Sequence, residues 1–244
     1  MREIATPAPG AGEILLQVSA CGVCRSNLHM IEGEWVANGV PAKLPIVPGH
    51  EIVGRVTAVG DGVVSFKNGD RAGIHPLWSA CGRCEYCLTA REPLCQNKEI
   101  TGETVDGGYA EYVLTKAEHT YPVPESLADA EAAPLFCPGI TAYGAIAKAR
   151  LAPGKKVALF GMGGVGHLVL QMALLHGAEV IVVSRGSRHL KLAEKLGASR
   201  TIDAPAVDPE QAIKRSGGVD AAIVFAPSDT VVRQAISAIK PGGI

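Results

Sequence analysis

Short runs in which apolar and polar positions alternate occupy the first part of the chain: EILLQVSA at 13–20, EIVGRVTAVG at 51–60, DRAGI at 70–74 and GGYAEYVLT at 107–115. They are rich in β-branched residues and separated by Gly/Pro turns, which predicts a small barrel or sandwich over residues 1–150. After LAPGKK at 151–156 the pattern changes. VALF reads as an apolar strand, glycines follow, and a helix is predicted from about Val165 to His176. EVIVVS is a second strand, with a helix through SRHLKLAEKLGA. VDAAIVFA is a third, and DTVVRQAISAIK a helix closed by PGG. Strands alternating with helices predict an α/β doubly wound parallel sheet over residues 151–244, the boundary falling near Pro153-Gly154.

The segment Val157 to Ala178 carries no Asp, Glu, Lys or Arg and is long enough to span a bilayer. Four glycines in its first ten residues, and His167, Gln171 and His176, argue instead for a strand, loop and helix in water. A length of 244 residues can bury a core without disulfides, and a formal charge of -1 provides no attraction to nucleic acid or an anionic membrane. The start, MREIATPAPGAGEILLQV, lacks the basic-then-apolar order of a secretory signal, so a cytoplasmic location is expected.

Seven cysteines, mostly at C-x2-C spacing, point to metal rather than disulfides in such a chain. Cys81, Cys84, Cys87 and Cys95 follow C-x2-C-x2-C-x7-C, and four thiolates from one loop can close a tetrahedron around a structural zinc. An iron–sulfur motif would set the fourth cysteine three residues on and follow it with proline; here Gln96 follows. Cys21, Cys24 and Cys137 remain, with His50 and Glu51 in VPGHEIVG. Taken singly each is more often core than ligand. A Cys/His/Cys set would leave one coordination position free, as a catalytic zinc requires.

GHEIVGRVTAVGDGV carries the G-H-E-x2-G-x5-G-x2-V signature and, with CGVCRSNLH, the four-cysteine lobe, FCPGIT and GMGGVG in that order, resembles the zinc-dependent medium-chain alcohol dehydrogenases over nearly the whole chain. The resemblance implies a β-rich GroES-like catalytic domain joined to a Rossmann dinucleotide-binding domain. It implies that Cys24, His50 and Cys137 hold the catalytic zinc, that Cys21 packs, and that Glu51 lies behind the metal. It gives Ser26 the alcohol's proton, His29 its transfer to solvent, Arg25 a pyrophosphate contact and Thr141 a nicotinamide contact. Trp35 and Trp78 are candidates to line the substrate pocket. Where the family has aspartate this chain has Asn27, whose amide oxygen can still accept the His50 imidazole N–H but brings no charge.

Gly161, Gly163, Gly164 and Gly166 in GMGGVG follow a strand and precede a helix, the setting of a dinucleotide fingerprint with pyrophosphate at the helix N-terminus. An NAD enzyme should end its second strand with an acid; here Ser184 and Arg185 stand there, which favours NADP over NAD. The expected activity is reversible hydride transfer between a small primary or secondary alcohol and the nicotinamide, with two zinc ions per chain. The rivals are an NADPH-dependent aldehyde reductase of cinnamyl-alcohol type and a non-catalytic zinc protein on the same scaffold. Ending at KPGGI, the chain reads as the incomplete form of a longer, homo-oligomeric protein.

Overall fold

The computed structural model describes residues 3–244. The chain divides into two compact units, residues 1–137 and 138–244. The sequence grammar breaks at 150. The intervening helix, α4 (Pro138–Ala149), belongs to the second unit because Ala142, Ile146 and Ala149 pack into that unit's core.

In the first unit, β1 (Glu13–Cys21), β2 (Ile52–Val59), β3 (Arg71–Ile74), β6 (Tyr112–Lys116) and β7 (Thr120–Pro122) form one antiparallel sheet in the order β6-β1-β2-β3-β7. A second ribbon pairs β4 (Leu77–Ser79) with β5 (Glu99–Ile100). Alternation along β1 and β2 sends Ile14, Leu16, Ile52 and Val56 into a core with Ala72, Ile74 and Val113. Register shifts between Leu15 and Leu16 and between Val18 and Ala20 bend β1. At Gly54 a Cβ would overlap the carbonyl oxygen of Gln17, so only glycine lets the strands approach this closely. Short helices α1 (Arg25–Ile31), α2 (Glu85–Leu88) and α3 (Asp129–Ala132) interrupt the loops. Arg71, 8% exposed, donates from Nε to Asp129 Oδ1 at 2.8 Å and also bonds the Pro124 carbonyl, tying β3 to α3.

This pairing positions the site. Cys21 at the end of β1 stands opposite Ile52 at the start of β2, so the loops holding Cys24 and His50 leave the sheet at one end. The 3-10 turn Ala133–Phe136 seats its Phe136 ring against Gly73 of β3, where any Cβ would overlap that ring. Cys137, the next residue, is thereby delivered to the same end.

The second unit is a parallel sheet of β8 (Lys156–Phe160), β9 (Glu179–Ser184), β10 (Arg200–Asp203) and β11 (Ala221–Val224), ordered β10-β9-β8-β11. It is the doubly wound arrangement the strand–helix alternation predicts. Val157 and Leu159 face one core layer, with α4 and α5 (Gly166–Leu175); Ala158 and Phe160 face the other, with α7 (Pro209–Arg215) and α8 (Asp229–Ala238). Helix α6 (Ser187–Lys195) connects β9 to β10. Strand β10 and helix α7 escape a periodicity reading because each is short. Asp208-Pro209-Glu210 nonetheless spells a helix start, and Asp208 Oδ1 accepts from Glu210 N at 3.0 Å. Among the described residues no helix is long and apolar enough to cross a membrane.

Candidate functional site

Cys24 stands in extended backbone as the residue before α1, His50 and Glu51 immediately before β2, and Cys137 at the end of its 3-10 turn. One ligand atom from each of these four lies within 4.8 Å of the others. The two sulfurs are 3.7 Å apart, and Ser26 Oγ is 3.4 Å from His50 Nε2. His50 is 2% exposed and Glu51 5%. The Glu51 carboxyl lies against Gly22, where a Cβ would overlap it. Two soft sulfurs and a borderline imidazole nitrogen converging from three separate loops fit zinc chemically, with Glu51 alongside.

The electrostatics suit a cation. Hydrogen bonding from Cys137 holds the Cys24 thiol down to about 3, while the same contact and burial push Cys137 well above the thiol range. Two sulfurs this close cannot both carry charge without a positive partner between them. Burial, then the Cys24 charge, raises Glu51 to about 7. Glu103, unremarked in the sequence, is raised chiefly by burial, with the Cys24 charge adding and His50 opposing.

Asn27 differs from expectation. It is 2% exposed and donates from Nδ2 to Tyr109 Oη at 2.8 Å, while Tyr109 donates to the Gly22 carbonyl at 3.2 Å. Its Oδ1 and the His50 Nδ1 are both buried without a hydrogen-bond partner. The tyrosine hydroxyl commits the amide NH2, and no Asn27–His50 bond forms. Tyr109, in GGYAEY, carried no chemical signal in the sequence.

Cys81, Cys84, Cys87 and Cys95 also gather within 4.8 Å. Cys84 and Cys87 sulfurs are 3.5 Å apart, and the Cys81 N–H points to Cys95 Sγ at 3.5 Å. Backbone N–H groups of Arg83 and Cys84 bring Cys81 down to about 6, and burial pushes Cys87 up to about 12. All seven cysteines are free thiols.

Ser26, Arg25 and His29 share α1. Arg25 Nε donates to His29 Nε2 at 3.3 Å, and His29 Nδ1 is 2.5 Å from Glu34 Oε2. The Trp35 ring lies 5.6 Å from the His29 ring. Trp78 is elsewhere: its Nε1 donates to the Leu114 carbonyl at 3.1 Å and Lys116 covers its ring. It lines a cavity of about 300 Å3 with Ile4, Val47, Asp106 and Tyr112, whose lining includes none of Cys24, His50 and Cys137.

In the second unit, Gly161 follows β8 with φ 113, and a Cβ at Gly166 would overlap the Gly161 carbonyl oxygen. No residue but glycine closes this strand-to-helix turn, while Gly163 and Gly164 face open space. At the start of the ten-residue α5 the turn is tight: the His167 and Leu168 N–H groups bond back to the Gly163 and Val165 carbonyls at 3.2 and 3.1 Å. At the end of β9, Ser184 Oγ is 3.4 Å from His189 Nδ1, and Arg185 and Thr141 are exposed. The second strand ends in Ser184 as read from the sequence, but an acid stands on the strand beside it. Asp203 pairs with Ser184 across β10 and β9, and its Oδ1 is buried without a partner. Adjacency across the sheet, invisible in β9 alone, puts it there.

Comparison with known proteins agrees with this geometry. Residues 10–125 match the family described as alcohol dehydrogenase GroES-like domain, and residues 164–244 the zinc-binding dehydrogenase family. An alcohol dehydrogenase of Geobacillus stearothermophilus is 43% identical over 244 residues, 100% of this chain and 72% of the relative. A zinc-binding dehydrogenase structure from Sinorhizobium meliloti, bound to NADP, superposes with a TM-score of 0.92 at 33% identity, covering 99% of this chain and 70% of that one. A cinnamyl alcohol dehydrogenase of Sorghum bicolor gives 0.87 at 32% identity, covering 98% and 69%. With both domain families matched and a 43% identical relative spanning every residue, this chain belongs to the medium-chain, zinc-type alcohol dehydrogenase family.

Proposed function

We propose that this protein oxidises a small primary or secondary alcohol, reversibly, with a zinc ion held by Cys24, His50 and Cys137 and with NADP preferred over NAD. The observation that carries this is the convergence of those three side chains, with Glu51, within 4.8 Å. When bound, zinc supplies a Lewis-acid position that acidifies an alcohol, and the nicotinamide accepts hydride. The chain's own residues do the rest. Ser26, 3.4 Å from His50 Nε2, takes the substrate's hydroxyl proton, and His29 releases it to solvent. Cys81, Cys84, Cys87 and Cys95 hold a second, structural zinc, closed to substrate. Arg25 and the Gly161–Gly166 turn bind pyrophosphate, and Thr141 packs on the nicotinamide. Trp35, against His29, belongs to the alcohol's surroundings.

The NADP preference rests on Arg185, a cation where a 2′-phosphate would lie, with Ser184 as a hydrogen-bonding neighbour. Asp203 beside Ser184 opposes it, so the preference should be several-fold with NAD still accepted. A panel of alcohols and aldehydes assayed with both cofactors, with metal analysis, tests the whole reading. Two zinc ions per chain and alcohol-dependent NADP reduction support it; one zinc, or a tenfold preference for NAD, overturns those parts. The likeness to a cinnamyl alcohol dehydrogenase favours one second reading, reduction of an aromatic aldehyde by NADPH, which the aldehyde arm of the panel decides.

A further inference from the structure

Arg25 and His29 lie one turn apart on α1, and the Arg25 Nε donates to His29 Nε2 at 3.3 Å. A guanidinium has no acceptor, so Nε2 must be the unprotonated ring nitrogen. The ring proton therefore sits on Nδ1, which faces Glu34 Oε2 at 2.5 Å. The chain reverses after α1 to bring that carboxylate back: Gly33 takes φ 78 and the Glu34 N–H bonds the His29 carbonyl at 3.0 Å. The Trp35 ring then lies over the imidazole at 30°. Glu32 is the other acid at hand, its carboxylate within 4.8 Å of the same atoms. The Glu34 side chain is 53% exposed and that of His29 26%.

We propose that Glu34 is the positioning residue of the proton relay: it fixes His29 as the Nδ1–H tautomer, leaving Nε2 as the base atom, and passes the Nδ1 proton to water. This rests on the reading of His29 as the terminal proton acceptor. The transfer balances. A proton arriving at Nε2 forms one N–H bond, the Nδ1 proton moves to Glu34 Oε2 and breaks the other, and the ring is neutral again. The exposed Glu34 carboxyl then gives its proton to solvent. Arg25 must first turn away from Nε2, and pyrophosphate oxygens are suited to draw a guanidinium off. In this arrangement Nε2 is covered until phosphate arrives, and Glu34 holds the ring in place throughout.

The test is ring-nitrogen NMR on the zinc-loaded, histidine-labelled protein, recorded where the ring is neutral. The native ring should carry its proton on Nδ1. Because Arg25 favours the same tautomer from Nε2, the ratio is read in Arg25→Ala: adding Glu34→Ala there should shift it about tenfold toward Nε2–H, and adding Glu32→Ala should leave it unchanged. Glu34→Gln still accepts the N–H through its amide oxygen, so it should keep the tautomer. It cannot take up the proton, so its alcohol oxidation should fall about tenfold and be restored by imidazole buffer. A native ring protonated on Nε2, or a ratio unchanged when Glu34→Ala is added to Arg25→Ala, overturns the proposal. The relay reading fails separately. If His29→Gln oxidises alcohol at the native rate with an unchanged pH profile, the proton-passing role falls, while the tautomer result still decides whether Glu34 fixes the ring.

Discussion

His75 gives the first unit a measurable weakness to acid. It lies between β3 and β4, its Nε2 is buried without a partner, and its ring stands edge-on to Tyr121 at 5.2 Å and 6.4 Å from His119. Burial, and secondarily the His119 charge, depress it from 6.5 to about 4. A histidine with a depressed folded pKa binds fewer protons folded than unfolded. Stability is therefore level above about pH 6.5, falls as the pH drops toward 4, and levels again below. At pH 5 the unfolded ring is charged and the folded one is not, which costs about 2 kcal/mol at full burial. Partial solvent screening brings this nearer 1 kcal/mol. His75→Phe keeps an aromatic ring against Tyr121 and removes the titration. Both tryptophans, Trp35 and Trp78, lie in the first unit, so indole fluorescence during urea unfolding follows that unit. Between pH 7.5 and 5 the native protein should lose about 1 kcal/mol more than His75→Phe. The comparison cancels acid effects common to both, including those at the cysteine clusters. Parallel losses, or a His75 titration midpoint near 6.5, would refute the reasoning.

Three other outcomes follow from the same physical arguments. Cys137→Ala should lower bound zinc from about two ions per chain to one and abolish alcohol oxidation, with the four-cysteine site still filled; metal analysis beside the assay checks it. Asp129→Ala strands the Arg71 guanidinium, 8% exposed, and should cost about 2–4 kcal/mol by urea unfolding, whereas the exposed Arg55–Glu125 pair should cost under about 1 kcal/mol. Gly166→Ala should push the turn off the Gly161 carbonyl and weaken NADP binding at least about tenfold in calorimetric titration, with little change in unfolding of the first unit.

The local levels of this protein were written in the chain. Period-two alternation marked β1 and β2, a switch to strand–helix alternation marked the parallel sheet, and cysteine spacing marked the four-thiol loop. Such features depend on neighbours within a dozen or so residues, which sequence records directly. The Gly161–Gly166 turn belongs with them, since its close approach is made within one strand, turn and helix. Cys24, His50 and Cys137 were different. No spacing rule joins residues so far apart, and only likeness to a family named them as a set. What gathers them is the antiparallel register that places Cys21 opposite Ile52, and the Phe136 ring seated on Gly73.

Tertiary structure alone decided the rest, because it concerned side chains meeting across elements. Tyr109 reaches back to take the Asn27 NH2, and the Asn27 Oδ1 and the His50 Nδ1 are both buried without a partner. Asp203 arrives beside Ser184 from the neighbouring strand, so a reading of β9 alone missed the acid. Trp78 turns to β6 because its indole N–H finds the Leu114 carbonyl there. Glu34 was only an acid in a turn until the backbone reversal after α1 brought its carboxylate to the His29 ring. Each of these is a hydrogen bond or a pairing between segments whose meeting depends on sheet register and chain reversal. Hydrophobic pattern sets which face of a strand is buried, but it does not say which polar group waits on the next element.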